Sequence, residues 1–474
     1  MRDRPMALSF DYTCLMSGGP QGAAGVDAEW LSAAAAAHPA QLQQLQAKRA
    51  SGELGFFDLP DDRETVAAVT AWAQSVKGRY DNVVVLGIGG SALGTSAIHA
   101  ALSPSFNEVQ PDGGRPRLFV VDNVDPALVS GVLRVCDPER TLFNVISKSG
   151  STAETMSQFL LFLDRLKSTV GHRWTEHVVV TTDAEHGFLR PFATTHGLTT
   201  FTVPANVGGR FSVLTPVGLV PGALLGWDLT ALMDGAEAGR ERCLNADFSA
   251  NPAALIAATQ HLLDTRCGMS VQVLFPYSHR LRLLGDWLVQ LAAESLGKID
   301  STGKGVGPLP HAAIGATDQH SQVQLFVEGP ADKVFTFLRV AEHDEVTIPA
   351  PPEGLEGLAY LGGQGFGTLL DAECRATRLA LTAAGRPNGE ITFPKVDAYH
   401  VGEWVMWMQI AIAFGGELYG VNAFDQPGVE GGKIATYGLM GRAGFEDERA
   451  RIEAMAMSDG RFVVGDGYAR ASCP

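Results

Sequence analysis

The chain is 474 residues long, 46% hydrophobic and 19% charged, which excludes a disordered protein and exceeds what one ordinary core needs. Its net charge of −16 argues against a nucleic-acid surface, which needs a basic stripe, so an anionic ligand must be met by local positive groups. The six cysteines are scattered and form no Cys-x-x-Cys, so reduced cytosolic thiols are the simplest reading.

Residues 1–60 read as a peripheral helical extension whose first residues lack an apolar signal core. Ala33–Ala37 and the Gln/Leu run to Lys48 favour a helix, with a break expected at Pro39. Ser51–Pro60 is turn-like, with Phe56, Phe57 and Leu59 as a small anchor. A helix is predicted over Asp61–Lys77, its acidic first turn matching the positive end of the dipole.

Val83–Gly87 is a continuous apolar, mostly β-branched run, the mark of a strand buried on both faces. Gly87-Ile-Gly-Gly-Ser-Ala-Leu-Gly94 follows as a glycine-rich turn into a helix. Its spacing misses Gly-x-Gly-x-x-Gly, although Asp122 stands where a ribose-binding acid would in a dinucleotide fold. Ser91, flanked by small residues, suits a small anion or a sugar. Further strands are predicted at 118–121, 142–147, 178–181 and 200–203, alternating with helices. That pattern implies a parallel sheet with helices on both faces and ligands beyond the carboxyl ends of its strands.

The stretch Asn144–Thr155 joins a buried strand to a helix in which Met156, Phe159, Leu160, Leu163 and Leu166 recur at helical spacing. Between them lie Ser147, Lys148, Ser149, Gly150, Ser151 and Thr152. Small hydroxyl residues at a helix N-terminus can cradle a phosphate on the free N–H groups. Ser151 or Thr152 as an ordinary N-cap is the alternative. No Walker motif occurs in the chain. Gly208-Gly-Arg-Phe-Ser212 next places a permanent cation, Arg210, beside open backbone, and Pro216–Leu225 reads as buried.

A second α/β cycle is predicted after Asn251, with strands at Val271–Phe275, Val323–Glu328, Val334–Arg339 and Glu390–Phe393. Asp286, Gln290 and Glu294 recur at four-residue steps on one helix, Gly285–Lys298. Such a stripe is ordinarily a solvated face, and Glu294 is a candidate acid/base only where the stripe meets a cleft. Gly315–Ser321 is a polar loop carrying Gln319 and His320. Tyr399–Leu418 reads as a core helix, Gly420–Lys433 as a glycine-rich loop and Phe445–Met457 as an amphipathic helix suited to packing on the body. No cluster stands at metal-ligand spacing.

Taken together these motifs resemble the glucose-6-phosphate isomerase (phosphoglucose isomerase) family, particularly its bacterial forms. The resemblance spans about Phe56–Lys433 and rests on the glycine turn 87–94, Ser147-Lys-Ser-Gly-Ser-Thr-Ala-Glu154, Gly208–Ser212, Gln290-x-x-x-Glu294, Gln319-His320 and Asp425-Gln-Pro-Gly-Val-Glu430 with Lys433. It implies an α/β fold of two sugar-isomerase (SIS) type doubly wound parallel-sheet domains with a C-terminal helical extension. The corresponding boundaries are 1–60, 61–245, 246–420 and 421–474, the last an active-site segment and helix.

The resemblance also implies reversible isomerisation of D-glucose 6-phosphate and D-fructose 6-phosphate through a cis-enediolate, in glycolysis and gluconeogenesis in the cytoplasm. Ser91, Ser147, Lys148, Ser149 and Thr152 are expected to hold the phosphate. Glu294 is expected to move the proton between carbons 1 and 2, and Arg210 with the Gly209 amide to stabilise the enediolate. His320 and Lys433 are expected to assist ring opening, and Gln290 and Gln426 to orient the sugar. The family supplies its histidine from the partner subunit, so a homodimer is implied. Neither a cofactor nor a metal is expected, and no membrane or nucleic-acid partner. Ser149-Gly150-Ser151 stands where many family members carry Thr-Phe-Thr, and Gly431-Gly432 is expected to be flexible.

Overall fold

A computed structural model describes residues 6–19 and 25–455, apart from the side chain of Asp112. The predicted Phe445–Met457 helix runs at its end beyond these residues. The described chain forms two compact units, divided after Ala423.

The first unit holds two five-stranded sheets and a short two-stranded ribbon. Its strands are β1 (Ser9–Asp11), β2 (Asn82–Leu86), β3 (Arg117–Val121), β4 (Thr141–Ser147), β5 (Val178–Thr182) and β6 (Thr199–Thr202). Then come β7 (Val271–Pro276), β8 (Lys298–Ile299), β9 (Gly305–Val306), β10 (Leu309–Ala312), β11 (Lys333–Val340) and β12 (Asn388–Phe393). The first sheet has the order β3-β2-β4-β5-β6 and is parallel throughout. β2, β4 and β5 are buried along their whole length, which is why their sequences read as apolar runs rather than as alternation. The chain leaves β2 toward β3 and returns to place β4 on the other side. That reversal opens a crevice beyond the ends of β2 and β4, where the glycine turn and the serine turn begin.

The second sheet has the order β1-β12-β11-β7-β10. β12, β11, β7 and β10 run parallel and repeat the same reversal, here between β7 and β11, and β1 closes the edge antiparallel to β12.

The predicted strand at Val323–Glu328 is a helix. Val323, Phe326 and Val327 stand at three- and four-residue spacing and pack on the second core, so a helical period decides this short apolar run. The sheet instead takes its strand from Leu309–Ala312. Ala28–Ala50 is one continuous helix through Pro39. Pro39 is exposed, so water can satisfy the carbonyl that its ring deprives of a donor, while the neighbouring stripe of His38, Leu42 and Leu45 is buried. Residues 1–60 are not all peripheral. Phe56, Phe57 and Leu59 are buried, and Phe56 packs 4.9 Å from the Phe211 ring.

Ala398–Tyr419 is the core helix expected from its sequence and is buried almost throughout. Buried Glu403 pairs with Arg242 at 2.6 Å and accepts the Leu8 N–H at 3.1 Å. This helix crosses Leu229–Cys243 at near backbone contact. A Cβ on Gly402 would lie 1.9 Å from the Leu232 carbonyl oxygen, and one on Gly235 would lie 1.8 Å from that of Tyr399. No described helix is long and apolar enough to cross a membrane. The five described cysteines are free thiols.

The second unit contains the helices Glu430–Leu439 and Glu446–Ala454. Gly431 and Gly432 lie in the first turn of a helix rather than in a flexible loop. The last helix buries none of its residues and is not amphipathic. Its charged side chains pair along its own surface, as Arg449 does with Glu453 and Arg451 with Glu448.

Gly402→Ala is expected to destabilise the first unit by about 3 kcal/mol, the upper range for overpacking, because backbone must move to admit the methyl group. Urea unfolding followed by tryptophan fluorescence checks this, since Trp404 and Trp407 lie in the affected helix. An unchanged midpoint would contradict the close crossing.

Candidate active site

The first group of residues lies beyond the carboxyl ends of β2 and β4. Ser91 ends the short turn Gly89–Ser91 that leads into the Leu93–Leu102 helix. After β4 the chain turns through Lys148–Thr152 into the Ala153–Val170 helix. Thr152 occupies the N-cap position, but its side chain makes no capping hydrogen bond. Its hydroxyl instead meets Ser147 Oγ at 2.9 Å and Ser149 Oγ at 3.2 Å. Ser151 turns toward Ser149, with Oγ and N each 3.4 Å from Ser149 Oγ. The hydroxyls therefore gather at a helix N-terminus without capping it, the arrangement an anion cradle requires.

Lys148 is directed elsewhere. Its ammonium donates to the carbonyls of Ala205 and Val207 at 2.7 and 2.8 Å. Burial lowers its pKa from the ordinary lysine value, and Asp183 partly opposes the shift. Lys148 thus ties the serine turn to the strand-end segment that leads into Arg210.

Arg210 sits in the turn Gly209–Leu214 and is 3% exposed. The glycine turn lies directly against it: a Cβ on Gly90 would fall 2.3 Å from the Gly209 carbonyl. Only glycine permits that approach. Three further contacts hold the Arg210 turn from behind. Gln409 donates to the Phe211 carbonyl at 3.0 Å, Ser212 donates to the Gly209 carbonyl at 2.7 Å, and the Phe56 ring packs on Phe211.

The Arg282–Leu296 helix follows β7, through a short turn, and brings the stripe of Gln290 and Glu294 to the same place. Arg210 Nη1 lies 3.4 Å from Glu294 Oε1, and the Glu294 side chain is 24% exposed. Gln290 Nε2 donates to Glu294 Oε2 at 3.2 Å. Gln290 also borders the glycine turn, since a Cβ on Gly89 would lie 3.1 Å from its Nε2. Asp286, two turns before Glu294, is exposed. The stripe therefore passes along its length from solvent at Asp286 to the buried Arg210 at Glu294.

His320 ends the turn Thr317–His320 and is exposed. Its neighbour Gln319 is pinned, donating to Tyr277 Oη and Thr377 Oγ1 at 2.7 Å each and to the Glu373 carbonyl at 3.2 Å. Asp318 accepts the Ile314 N–H at 2.7 Å and the Ser321 hydroxyl at 2.6 Å. The turn is thus fixed while its histidine points outward. Among the described residues, no hydrogen bond or ion pair joins His320 to Arg210 or Glu294. In the second unit, Gln426 precedes the turn Pro427–Val429, and Lys433 pairs with Glu430 at 2.7 Å.

Sequence reasoning missed Ser295 and Gln409 as supports. Ser295 accepts Arg210 Nε at 2.7 Å. The available signals were a lone hydroxyl among Leu291, Ala292 and Leu296, and a lone amide in the apolar Trp404–Phe414 run. Among the described residues no group of histidines, cysteines and carboxylates is placed to hold a metal ion.

A family model described as phosphoglucose isomerase matches residues 62–357. The glucose-6-phosphate isomerase of Carboxydothermus hydrogenoformans is 47% identical over 89% of this chain and 92% of its own. That of Rubrobacter xylanophilus is 48% identical over 82% of this chain and 90% of its own. Among solved structures, a hypothetical protein from Thermus thermophilus superposes with a TM-score of 0.83 at 41% identity, covering 92% of this chain and 100% of that one. A glucose-6-phosphate isomerase from Chlamydia trachomatis gives 0.71 at 25% identity, covering 82% of this chain and 76% of that one. With a family match over more than half its length and curated relatives 47–48% identical over most of the chain, the chain belongs to the phosphoglucose isomerase family.

Proposed function

We propose that this chain interconverts D-glucose 6-phosphate and D-fructose 6-phosphate through a cis-enediolate, a step of glycolysis and gluconeogenesis in the cytoplasm. The observation that carries the reading is the placement of Glu294 and Arg210, a carboxylate and a buried guanidinium 3.4 Å apart. The isomerisation takes a proton from one of carbons 1 and 2 and returns it to the other. Glu294 is the base, with Gln290 fixing one of its oxygens. Negative charge appears on the two sugar oxygens only after the proton leaves. A fixed guanidinium therefore stabilises the transition state more than the substrate, which raises rate rather than only affinity. Gly209 is open on the side where a side chain would stand, which leaves room for its amide to share that role.

The phosphate is held by Ser91, Ser147, Ser149 and Thr152, with Lys148 as the cation beside them. Their hydroxyls replace water around the phosphate while the helix N-terminus supplies its positive end. His320 and Lys433 assist ring opening, and Gln426 orients the sugar. The outward direction of His320 from a pinned turn supports its delivery to the partner's site in a homodimer. The 61–245 and 246–420 segments act as the two SIS-type halves, with 421–474 as the C-terminal active-site segment and helix.

Conversion of fructose 6-phosphate to glucose 6-phosphate, read by a coupled dehydrogenase, is expected to be rapid and unchanged by EDTA. Absence of turnover in the intact protein would overturn the proposal. Glu294→Gln is expected to keep sugar-phosphate binding and to lose at least ~100-fold in kcat, the usual contribution of a general base. Thr152→Val is expected to raise KM about 10- to 100-fold, since a hydrogen bond to a charged group contributes about 1.5–3 kcal/mol. An unaltered KM would remove Thr152 from the phosphate site. The shared-site dimer has a separate test. Inactive Glu294→Gln and His320→Ala chains, mixed and allowed to exchange subunits, are expected to regain activity in the hybrid. A histidine acting within its own chain would leave every hybrid site broken and activity absent.

A further inference from the structure

Two neutral oxygens hold the buried Arg210 guanidinium from behind. Its Nε donates to Ser295 Oγ at 2.7 Å, and one terminal nitrogen donates to the Ala423 carbonyl. The other terminal nitrogen, Nη1, is the one that faces Glu294. Ser295 is 0% exposed and follows Glu294 directly in the Arg282–Leu296 helix. Successive helical residues point about 100° apart, so this one helix presents a carboxylate to the cleft and a hydroxyl to the inner edge of the guanidinium. A planar fork anchored at Nε and at one Nη has no rotational freedom left, and the remaining nitrogen is aimed by construction.

The chemistry of the anchors matters as much as their direction. A carboxylate at the position of Ser295 would form a bidentate pair with Arg210 and cancel much of its field at the reacting carbons. A hydroxyl satisfies the Nε–H without adding a second carboxylate to that of Glu294 beside Nη1.

We propose that Ser295 is a positioning residue for the isomerisation, setting the plane of the Arg210 guanidinium so that Nη1 meets the enediolate beside Glu294. This rests on the isomerase reading of the site. It assigns Ser295 a role exerted through Arg210 on the transition state and not on the bound sugar phosphate.

The test compares wild type, Ser295→Ala and Ser295→Thr as full-length proteins. It measures kcat and KM for fructose 6-phosphate and the inhibition constant of a sugar-phosphate hydroxamate, whose planar cis oxygens mimic the enediolate. Ser295→Ala is expected to lower kcat on the order of 10- to 100-fold, the loss that slight misplacement of a catalytic group produces. Its KM is expected to change little, and the hydroxamate to bind weaker by a factor similar to the loss in kcat/KM. Ser295→Thr, which keeps the hydroxyl, is expected to restore both quantities. The inhibition constant is the deciding readout, because a variant that only misfolds in part loses active molecules without altering that constant. Wild-type kcat in Ser295→Ala, or a lowered kcat with unaltered hydroxamate affinity, would overturn the inference while leaving the isomerase reading intact. An inactive wild type would overturn the reading itself, and the inference with it.

Discussion

The site depends on one close approach, that of the Gly90 backbone to the Gly209 carbonyl. It brings the turn after the first strand of the first sheet against the turn that carries Arg210. No side chain fits between them, so the separation is set by backbone and not by a rotamer. The glycine turn also borders Gln290, which contacts Glu294, which in turn faces Arg210. The contacts run from Gly90 through Gly209, Arg210, Glu294 and Gln290 to Gly89, a closed ring in which each member restricts the next. Lys148 adds the serine turn to this ring through the carbonyls of Ala205 and Val207.

That arrangement answers an electrostatic difficulty. The chain carries a net charge of −16, and its substrate under the proposed function is a phosphate ester. Long-range attraction does not help such a ligand, so affinity has to come from groups within hydrogen-bonding distance. The serine turn offers hydroxyls and a helix N-terminus to such a ligand, and its one side-chain cation, Lys148, is tied to the carbonyls of Ala205 and Val207. The buried cation Arg210 stands instead beside Glu294, where the proposed function puts the reacting carbons. Under that function, the phosphate is met mainly by hydroxyls and backbone, and the buried guanidinium is kept for the charge that develops during the reaction.

Much of this was legible in the sequence because the relevant signals are local. The serine cluster between a buried strand and a helical period marked the hydroxyl-lined turn, and two glycines before Arg210 marked a backbone approach. The stripe of Gln290 and Glu294 gave a shared face, but only the packing showed that the face runs from exposed Asp286 to the buried Arg210. What stayed hidden was set by contacts distant in the chain. Phe56 and Phe57 sit in a segment that reads as peripheral, yet the Phe56 ring packs on Phe211 behind the Arg210 turn. Pro39 failed to break its helix because it faces solvent, and Val323–Glu328 is too short for periodicity to separate strand from helix. Ser295 was invisible as a support because nothing in the sequence ties position 210 to position 295.

The two sheets explain why residues so far apart meet. Each has a strand followed by a crossover helix: β2 by Leu93–Leu102 and β7 by Arg282–Leu296. These corresponding helices pack against each other. The first lies behind the glycine turn and Ser91, and the second carries Gln290, Glu294 and Ser295. The same strand reversal occurs in both sheets, but only in the first does the crevice beyond it hold a serine turn. The second sheet contributes the flank of its first crossover helix instead. Two copies of one layout thereby supply different parts: one a turn lined by backbone and hydroxyls, the other a rigid helix holding Glu294 next to Ser295, which bonds Arg210. A helix is suited to that second task, because a rise of about 1.5 Å per residue fixes the offset between Glu294 and Ser295 more tightly than a loop can.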